Sequence, residues 1–420
     1  MLFRTYLSNS FSIFVKVLAG IALLRICTDY LGKDGLGLAS QFQGLVLLVY
    51  AFFNALFFNH IAQTNWKKKS KSTFPRLLGI AFICSIISAF LLAIFAQQLS
   101  MKFFGDNKAQ EGIYVLSFSS PFIALFVAYS AKLCADGRLI LFNLVNAIAI
   151  LISTVIIYLL IIHYGQNGAY LGLGFYYVFP MLMLGILIFK SKQGLTGSLP
   201  TFKELSHYPK NKFINLAIVG IFSAFNAIAL QIFLRHQLAN IAGWSSVGDW
   251  QVISKISDSY MLLVTTPLTT YLLPKLSKIN KVESQNKLIN RVLLYGCLIT
   301  SITGGIIYFL WDPIVIKIIG ATFSFLHPLT IIQFTGDVFK IISWTLIIVA
   351  LARMQLKFVI LAELIYSILY VVLVLYLTPP YRLEGTVWSY LFSNMITAFM
   401  LIIYYKIFNR NLRLNLNSEH

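Results

Sequence analysis

Residues 139–163 read LILFNLVNAIAILISTVIIYLLIIH, without one Asp, Glu, Lys or Arg. About 20 mostly apolar residues carry an α-helix through the hydrocarbon core of a bilayer, so this stretch is a membrane span. The same pattern recurs in both directions. Hydropathy and turn residues place spans at 8–30, 38–62, 76–98, 112–133, 139–163, 168–189, 213–236, 248–274, 288–311, 327–352, 356–378 and 384–407. Composition agrees: the 420 residues are 58% hydrophobic and 11% charged, against roughly 25% charge in an ordinary soluble domain. The expected fold class is an all-α integral membrane protein with about twelve transmembrane helices and little chain left for a soluble domain.

The net charge of +19, from 33 Lys and Arg against 14 Asp and Glu, is dispersed in short segments between apolar runs. A nucleic-acid-binding protein gathers such charge on one water-facing surface, so no nucleic-acid partner is expected. If the spans alternate from an inside N-terminus, 23 basic residues fall inside and six outside (Lys33, Lys102, Lys108, Arg235, Lys317 and Arg382), with four within spans. The positive-inside rule then places both termini in the cytoplasm. Arg4 before an apolar stretch resembles a signal peptide, but Lys16 interrupts the run and no small-x-small cleavage site follows, so it reads as a retained first span.

The longest polar interruption, Lys190 to Lys212, carries five lysines with Gly194, Gly197, Pro200 and Pro209. It divides the chain into a six-helix bundle (1–189), a cytoplasmic basic linker (190–212) and a second six-helix bundle (213–420). Six spans per half put the first and seventh on the same side, so any internal repeat is parallel. A faint echo supports one: Ile21-Ala22-Leu23 precedes Arg25 and a loop, as Ile228-Ala229-Leu230 precedes Arg235 and a loop.

A charge near the middle of a spanning helix costs about 2.5–3.5 kcal/mol on insertion scales, so such residues mark protein-lined or hydrated surfaces. The first span holds Lys16 and Arg25, the eighth Lys255 and Asp258, the tenth Asp337 and Lys340, and the eleventh Glu363; Arg235 closes the seventh. Gln251, Lys255 and Asp258 follow i, i+4, i+7 spacing, as do Gln333, Asp337 and Lys340, so each set forms one polar stripe. Five cations against three acids, spread over both halves, argue for an anion site of pyrophosphate size, which Lys and Arg serve by charge-assisted hydrogen bonds. The alternative is structural: Lys255 with Asp258 and Asp337 with Lys340 as intrahelical pairs, Arg25 bound to Asp29, and Arg25 and Arg235 snorkelling to the outer interface.

No Gly-x4-Gly-Lys-Ser/Thr occurs, so direct use of ATP is not expected, and no zinc-protease, serine-hydrolase or paired-acid motif sits in an outside loop. The chain reads as no enzyme. Cys27, Cys84, Cys134 and Cys297 stand singly, with no spacing for a metal, and no cofactor is expected. Gly168 and Gly172 form a Gly-x3-Gly that helix packing explains more simply than a ligand.

Three stretches carry a family resemblance. They are Tyr30-Leu31-Gly32-Lys33-Asp34-Gly35-Leu36-Gly37-Leu38, the segment from Val247-Gly248-Asp249-Trp250-Gln251 through Lys255-Ile256-Ser257-Asp258-Ser259-Tyr260 to Pro274-Lys275-Leu276-Ser277, and Gln333-Phe334-Thr335-Gly336-Asp337-Val338-Phe339-Lys340. The sequence resembles the Wzx-type polysaccharide and O-antigen flippases of the multidrug/oligosaccharidyl-lipid/polysaccharide (MOP) exporter superfamily, most of all the enterobacterial common-antigen branch that handles lipid III. The resemblance implies two six-helix bundles in a V, alternating access, and an undecaprenyl-pyrophosphate-linked oligosaccharide as substrate in the bacterial inner membrane. It further implies a glycan polymerase and chain-length proteins as partners in lipopolysaccharide or common-antigen assembly. Lys16, Arg25, Arg235, Lys255 and Lys340 then bind pyrophosphate or line the cavity. Asp258, Asp337, Glu363, Gln251 and Gln333 tune those cations or carry coupling ions. Two rivals remain: a multidrug/cation antiporter of the same superfamily, which favours an acid-dominated cavity, and a membrane glycan polymerase, which needs a larger outside loop with catalytic groups.

Overall fold

The computed structural model describes residues 2–58, 73–190, 210–276, 279, 282–353 and 355–418. Most of the basic linker, 191–209, and the Lys67–Lys71 run lie outside these described residues. All regular structure among the described residues is helical. Ten α-helices follow in order: α1 (Leu2–Phe53), α2 (Thr73–Ile94), α3 (Ala96–Phe104), α4 (Gln110–Ala135), α5 (Leu139–Gly174), α6 (Val178–Lys190), α7 (Lys210–Leu276), α8 (Val282–Phe309), α9 (His327–Ala352) and α10 (Leu356–Ser418).

Four of these helices are interrupted by a single non-helical residue: α1 at Gly32 (φ 70°, ψ −172°), α5 at Gly165 (φ 56°, ψ −131°), α7 at Gly243 (φ 83°, ψ 164°) and α10 at Arg382 (φ 50°, ψ −125°). Each break lies in a connection that hydropathy places between two spans. The second pair of breaks repeats the first at offsets of 211 residues (32 to 243) and 217 residues (165 to 382).

In α5 and α10 the chain folds back at the break. In a straight helix, residues eight apart are separated by about 12 Å. Yet a Cβ on Gly168 would lie 1.9 Å from the carbonyl oxygen of Leu160, and one on Gly385 2.1 Å from that of Leu377. The buried hydroxyls of Thr378 and Thr386, also eight residues apart, are 3.1 Å from each other. Gly172 closes the first hairpin against Ile157, so the Gly-x3-Gly serves helix packing.

Gly165 and Arg382 adopt nearly the same φ and ψ, but only glycine does so without a Cβ penalty. Opposite effects follow. Gly165→Ala meets no atom within 4 Å, so its cost is the backbone strain alone, about 1–2 kcal/mol. Arg382→Gly relieves that strain and is expected to gain up to about 1 kcal/mol. Thermal unfolding of the two variants in one detergent, with shifts of opposite sign, checks the pair.

The described chain divides into two compact units, residues 1–236 and 237–420, and the division falls inside α7. In the first unit α1 packs along α5, and α2 and α5 pack against α4. Phe126, Val145 and Leu184 form a buried cluster there, flanked by Tyr50 and Tyr177, whose rings stack at 4.5 Å. In the second unit α9 lies against α8 and α10, and Leu272, Leu276, Ile289, Val292, Ile348 and Val349 form a buried cluster.

Large apolar side chains crowd the outside as well: Phe90, Ile302 and Tyr376 are 66%, 59% and 78% exposed. A soluble protein rarely displays so much contiguous apolar surface, whereas a lipid-facing one must. Helix-borne hydroxyls turn inward to their own backbone, as Thr154 does to the carbonyl of Ile150 and Thr265 to that of Met261, which satisfies them without water. The protein is a multi-pass, all-helical membrane protein.

Candidate functional site: an ion-paired face in the second unit

Asp337 sits in the middle of α9 and is fully buried. Its neighbour Gly336 lets α10 approach, since a Cβ there would lie 2.8 Å from the ring of Tyr390. That approach brings the Tyr390 hydroxyl to Asp337, where it donates to Oδ1 at 2.6 Å. From α7, Ser257 Oγ donates to Oδ2 at 2.6 Å, and the Tyr260 hydroxyl, one turn on, donates to the same oxygen. Hydroxyls from two helices thus converge on a carboxylate of a third. Charge-assisted hydrogen bonds of this kind offset the desolvation of a buried acid.

One turn further along α9, Lys340 leaves this buried knot. Its Nζ lies 3.7 Å from Asp258 Oδ1 on α7 and 5.7 Å from the centre of the Tyr390 ring. The Lys340 side chain is 36% exposed and that of Asp258 68%. The two polar stripes therefore meet across helices. Lys340 makes its direct ion contact with Asp258 on α7 and Asp337 takes hydroxyls, while Lys340 and Asp337, one turn apart on α9, still act on each other through their charges. Gln333 is 3% exposed and its Oε1 lacks a hydrogen-bond partner. Gln251 and Lys255 on α7 and Glu363 on α10 are half-buried.

The first unit treats its cations differently. Arg25 Nε binds Asp29 Oδ2 at 2.6 Å one turn along α1, the pairing that the structural alternative anticipated. Lys16 is exposed on the same helix. Arg235 does not simply snorkel: its Nη1 donates to the Ser40 carbonyl on α1 at 3.3 Å. Beside it the fully buried Gln41 donates through Nε2 to the Ile232 carbonyl at 3.2 Å. Gly44 permits the approach, because a Cβ there would come within 2.9 Å of Ile232 and 3.2 Å of Arg235. These contacts hold the residues just before His236 in the first unit.

Sequence reasoning singled out Asp258, Asp337 and Lys340 but not Ser257, Tyr260 or Tyr390 as their partners. Ser257 and Tyr260 carried a local signal, lying three residues apart on the face next to the stripe. Tyr390, 53 residues beyond Asp337, carried none. Among the described residues, no group of three or more His, Cys, Asp or Glu is placed to hold a metal ion.

No family model matches the chain. It is 24% identical over 407 residues to the lipid III flippase of Escherichia coli (strain K12), covering 92% of this chain and 93% of that protein, and equally similar to the lipid III flippase of Shigella flexneri. Among solved structures, it matches the lipid II flippase MurJ in an inward closed conformation with a TM-score of 0.75 at 17% identity, over 99% of this chain and 90% of MurJ. An inward-facing multidrug resistance MATE family transporter of the MOP superfamily matches with a TM-score of 0.70 at 13% identity, over 96% and 95% of the two chains. The fold is shared with MurJ and with this MATE transporter, and along nearly its whole length the sequence is similar to lipid III flippases.

Proposed function

We propose that this chain is a bacterial inner-membrane flippase that carries an undecaprenyl-pyrophosphate-linked oligosaccharide repeat unit from the cytoplasmic to the periplasmic leaflet by alternating access. The observation that carries the reading is the likeness to lipid III flippases over 92% of the chain, on a fold shared with MurJ. Transport is the whole function, and no bond is made or broken. The glycan is a repeat unit of the common-antigen or O-antigen type, and the polymerase and chain-length proteins that use such units are the proposed partners.

The topology has twelve spans with both termini cytoplasmic, arranged as six-helix halves, 1–189 and 213–420, joined by the basic linker 190–212. Two observations support it. The breaks at residues 32 and 165 recur at 243 and 382. The stretches Ser8–Phe57 and Leu356–Ile407, 50 and 52 residues long, each exceed twice the roughly 20 residues that one crossing needs.

Sugars and pyrophosphate need a hydrated, cationic surface, while the polyprenyl tail stays in lipid. Lys16, Arg25, Arg235, Lys255 and Lys340 supply the cations; Asp258, Asp337, Glu363, Gln251 and Gln333 supply polar and ion-coupling groups. The mostly exposed Asp258 and its half-buried partner Lys340 belong on a face that water reaches, because lipid would not solvate them.

The test is leaflet-resolved movement of a fluorescent undecaprenyl-pyrophosphate-oligosaccharide in proteoliposomes, with and without a proton gradient. Movement that requires both protein and glycan is the expected result. Lys255→Gln and Lys340→Gln proteins that insert normally are expected to move it at least about tenfold more slowly, the loss of one charge-assisted contact of about 1.5–3 kcal/mol. Export of cationic dyes without movement of the glycolipid would instead establish the drug-antiporter reading.

A further inference from the structure

The two carboxylates beside Lys340 are held in opposite ways. Asp337 is fully buried and saturated by the hydroxyls of Ser257, Tyr260 and Tyr390, so its position is fixed by two other helices. Asp258 is 68% exposed and faces Lys340 Nζ at 3.7 Å, a long separation for an ion pair. Ion pairs with an exposed partner are weak, and a long separation puts this one at the weak end. The ammonium it engages sits on a flexible four-carbon stem and rests over the Tyr390 ring, so it can turn to another anion while the three hydroxyls keep the Asp337 carboxylate in place. A pyrophosphate offers several charged oxygens to an ammonium where Asp258 offers one carboxylate.

We propose that Asp258 is an exchangeable counter-ion, a positioning residue that competes with the substrate's pyrophosphate for Lys340. The inference rests on the flippase reading. Competition has two consequences for transport. Asp258 lowers the affinity with which the cation captures substrate, and it receives the ammonium when substrate leaves, so that release does not strand an unpaired charge within a span. A transporter needs both, because a site that only attracts the anion holds it.

The experiment measures equilibrium binding of geranylgeranyl pyrophosphate, a prenyl chain with a free pyrophosphate, to the full-length protein in nanodiscs. Release is followed by chasing labelled probe. Asp258→Asn is expected to bind about two- to fivefold more tightly than wild type, the range of a weak exposed pair, and to release the probe more slowly. The same substitution in a Lys340→Gln background is expected to change neither quantity. Lys340→Arg, which keeps the charge, is expected to restore the dependence on Asp258.

Unchanged affinity in Asp258→Asn with a lowered unfolding temperature would make the pair a static salt bridge and overturn the proposal. Equal tightening with and without Lys340 would also overturn it, since the effect would then be the general field of the carboxylate. Wild type that neither binds the probe nor moves the glycolipid would remove the flippase reading itself, an outcome visible before any variant is compared.

Discussion

Asp337→Leu is expected to leave little folded protein in the membrane, and the reason is the three hydroxyls rather than the lost charge. Replacing a buried ion with an apolar residue of similar volume is often tolerated when its partners are replaced too. Here Ser257, Tyr260 and Tyr390 would keep their donors and lose their acceptor. Each orphaned buried polar group costs about 1–3 kcal/mol, and removing one partner of a buried charged network typically costs about 3–5 kcal/mol. That is a large share of the 5–15 kcal/mol that holds an ordinary domain. Asp337→Asn keeps the shape and one acceptor; with its carbonyl at the Oδ2 position it still serves Ser257 and Tyr260, while its amide faces Tyr390. Tyr390→Phe removes one donor and leaves the carboxylate two. The expected order of destabilisation is Asp337→Leu, then Asp337→Asn and Tyr390→Phe, read as folded yield and unfolding temperature in detergent. Adding Ser257→Ala, Tyr260→Phe and Tyr390→Phe to Asp337→Leu is expected to recover most of the loss. If Asp337→Leu alone is as stable as wild type, the convergence of hydroxyls on this carboxylate does not hold the second unit together.

How far this site was legible in the sequence follows from what is local. The stripes Gln251, Lys255, Asp258 and Gln333, Asp337, Lys340 depend only on helical periodicity. Which stripe faces which, and which acid is buried, depends on packing between helices distant in sequence. Asp258 and Asp337 look alike in the chain, yet one is 68% exposed and the other not at all. Gly336, which admits the Tyr390 ring, reads in the sequence as one more glycine in a span. Arg25 shows the converse. Its partner Asp29 is one turn away, and the pair was readable in advance.

The fold divides along the same line. The long apolar helices follow from apolar runs, and glycine punctuates the breaks at 32, 165 and 243. At Arg382 the break falls on a residue with no such signature; the preceding Pro379 and Pro380 are its local sign. The basic residues bear on orientation only through the positive-inside rule, which acts during insertion and leaves no geometric trace in the folded helices.

Gly168→Ala and Gly385→Ala are expected to abolish folding, although alanine normally stabilises a helix by about 1 kcal/mol over glycine. Each glycine lies three residues past a break, Gly165 or Arg382, and faces the carbonyl five residues before it, that of Leu160 or Leu377. The single added carbon would sit 1.9 Å or 2.1 Å from that oxygen. The obstacle is backbone, so no side-chain rotation relieves it; the two limbs of the hairpin must separate. Separation also pulls Gly172 off Ile157 in the first hairpin and parts the Thr378 and Thr386 hydroxyls in the second. Losses of about 4 kcal/mol or more are the expected scale, in the range that marks a specific structural failure. Gly185→Ala and Gly305→Ala are the controls. They are helical glycines with no atom within 4 Å of the added carbon, and they are expected to match or slightly exceed wild-type stability. Folded yield of the four variants in one expression host decides the matter. Because both hairpins use the same contact, loss at one with tolerance at the other would show that the two are not equivalent supports. Tolerance at both would mean that the limbs part readily. The breaks at Gly165 and Arg382 would then be hinges rather than fixed turns, and the motion that the proposed alternating access requires would have to be sought there.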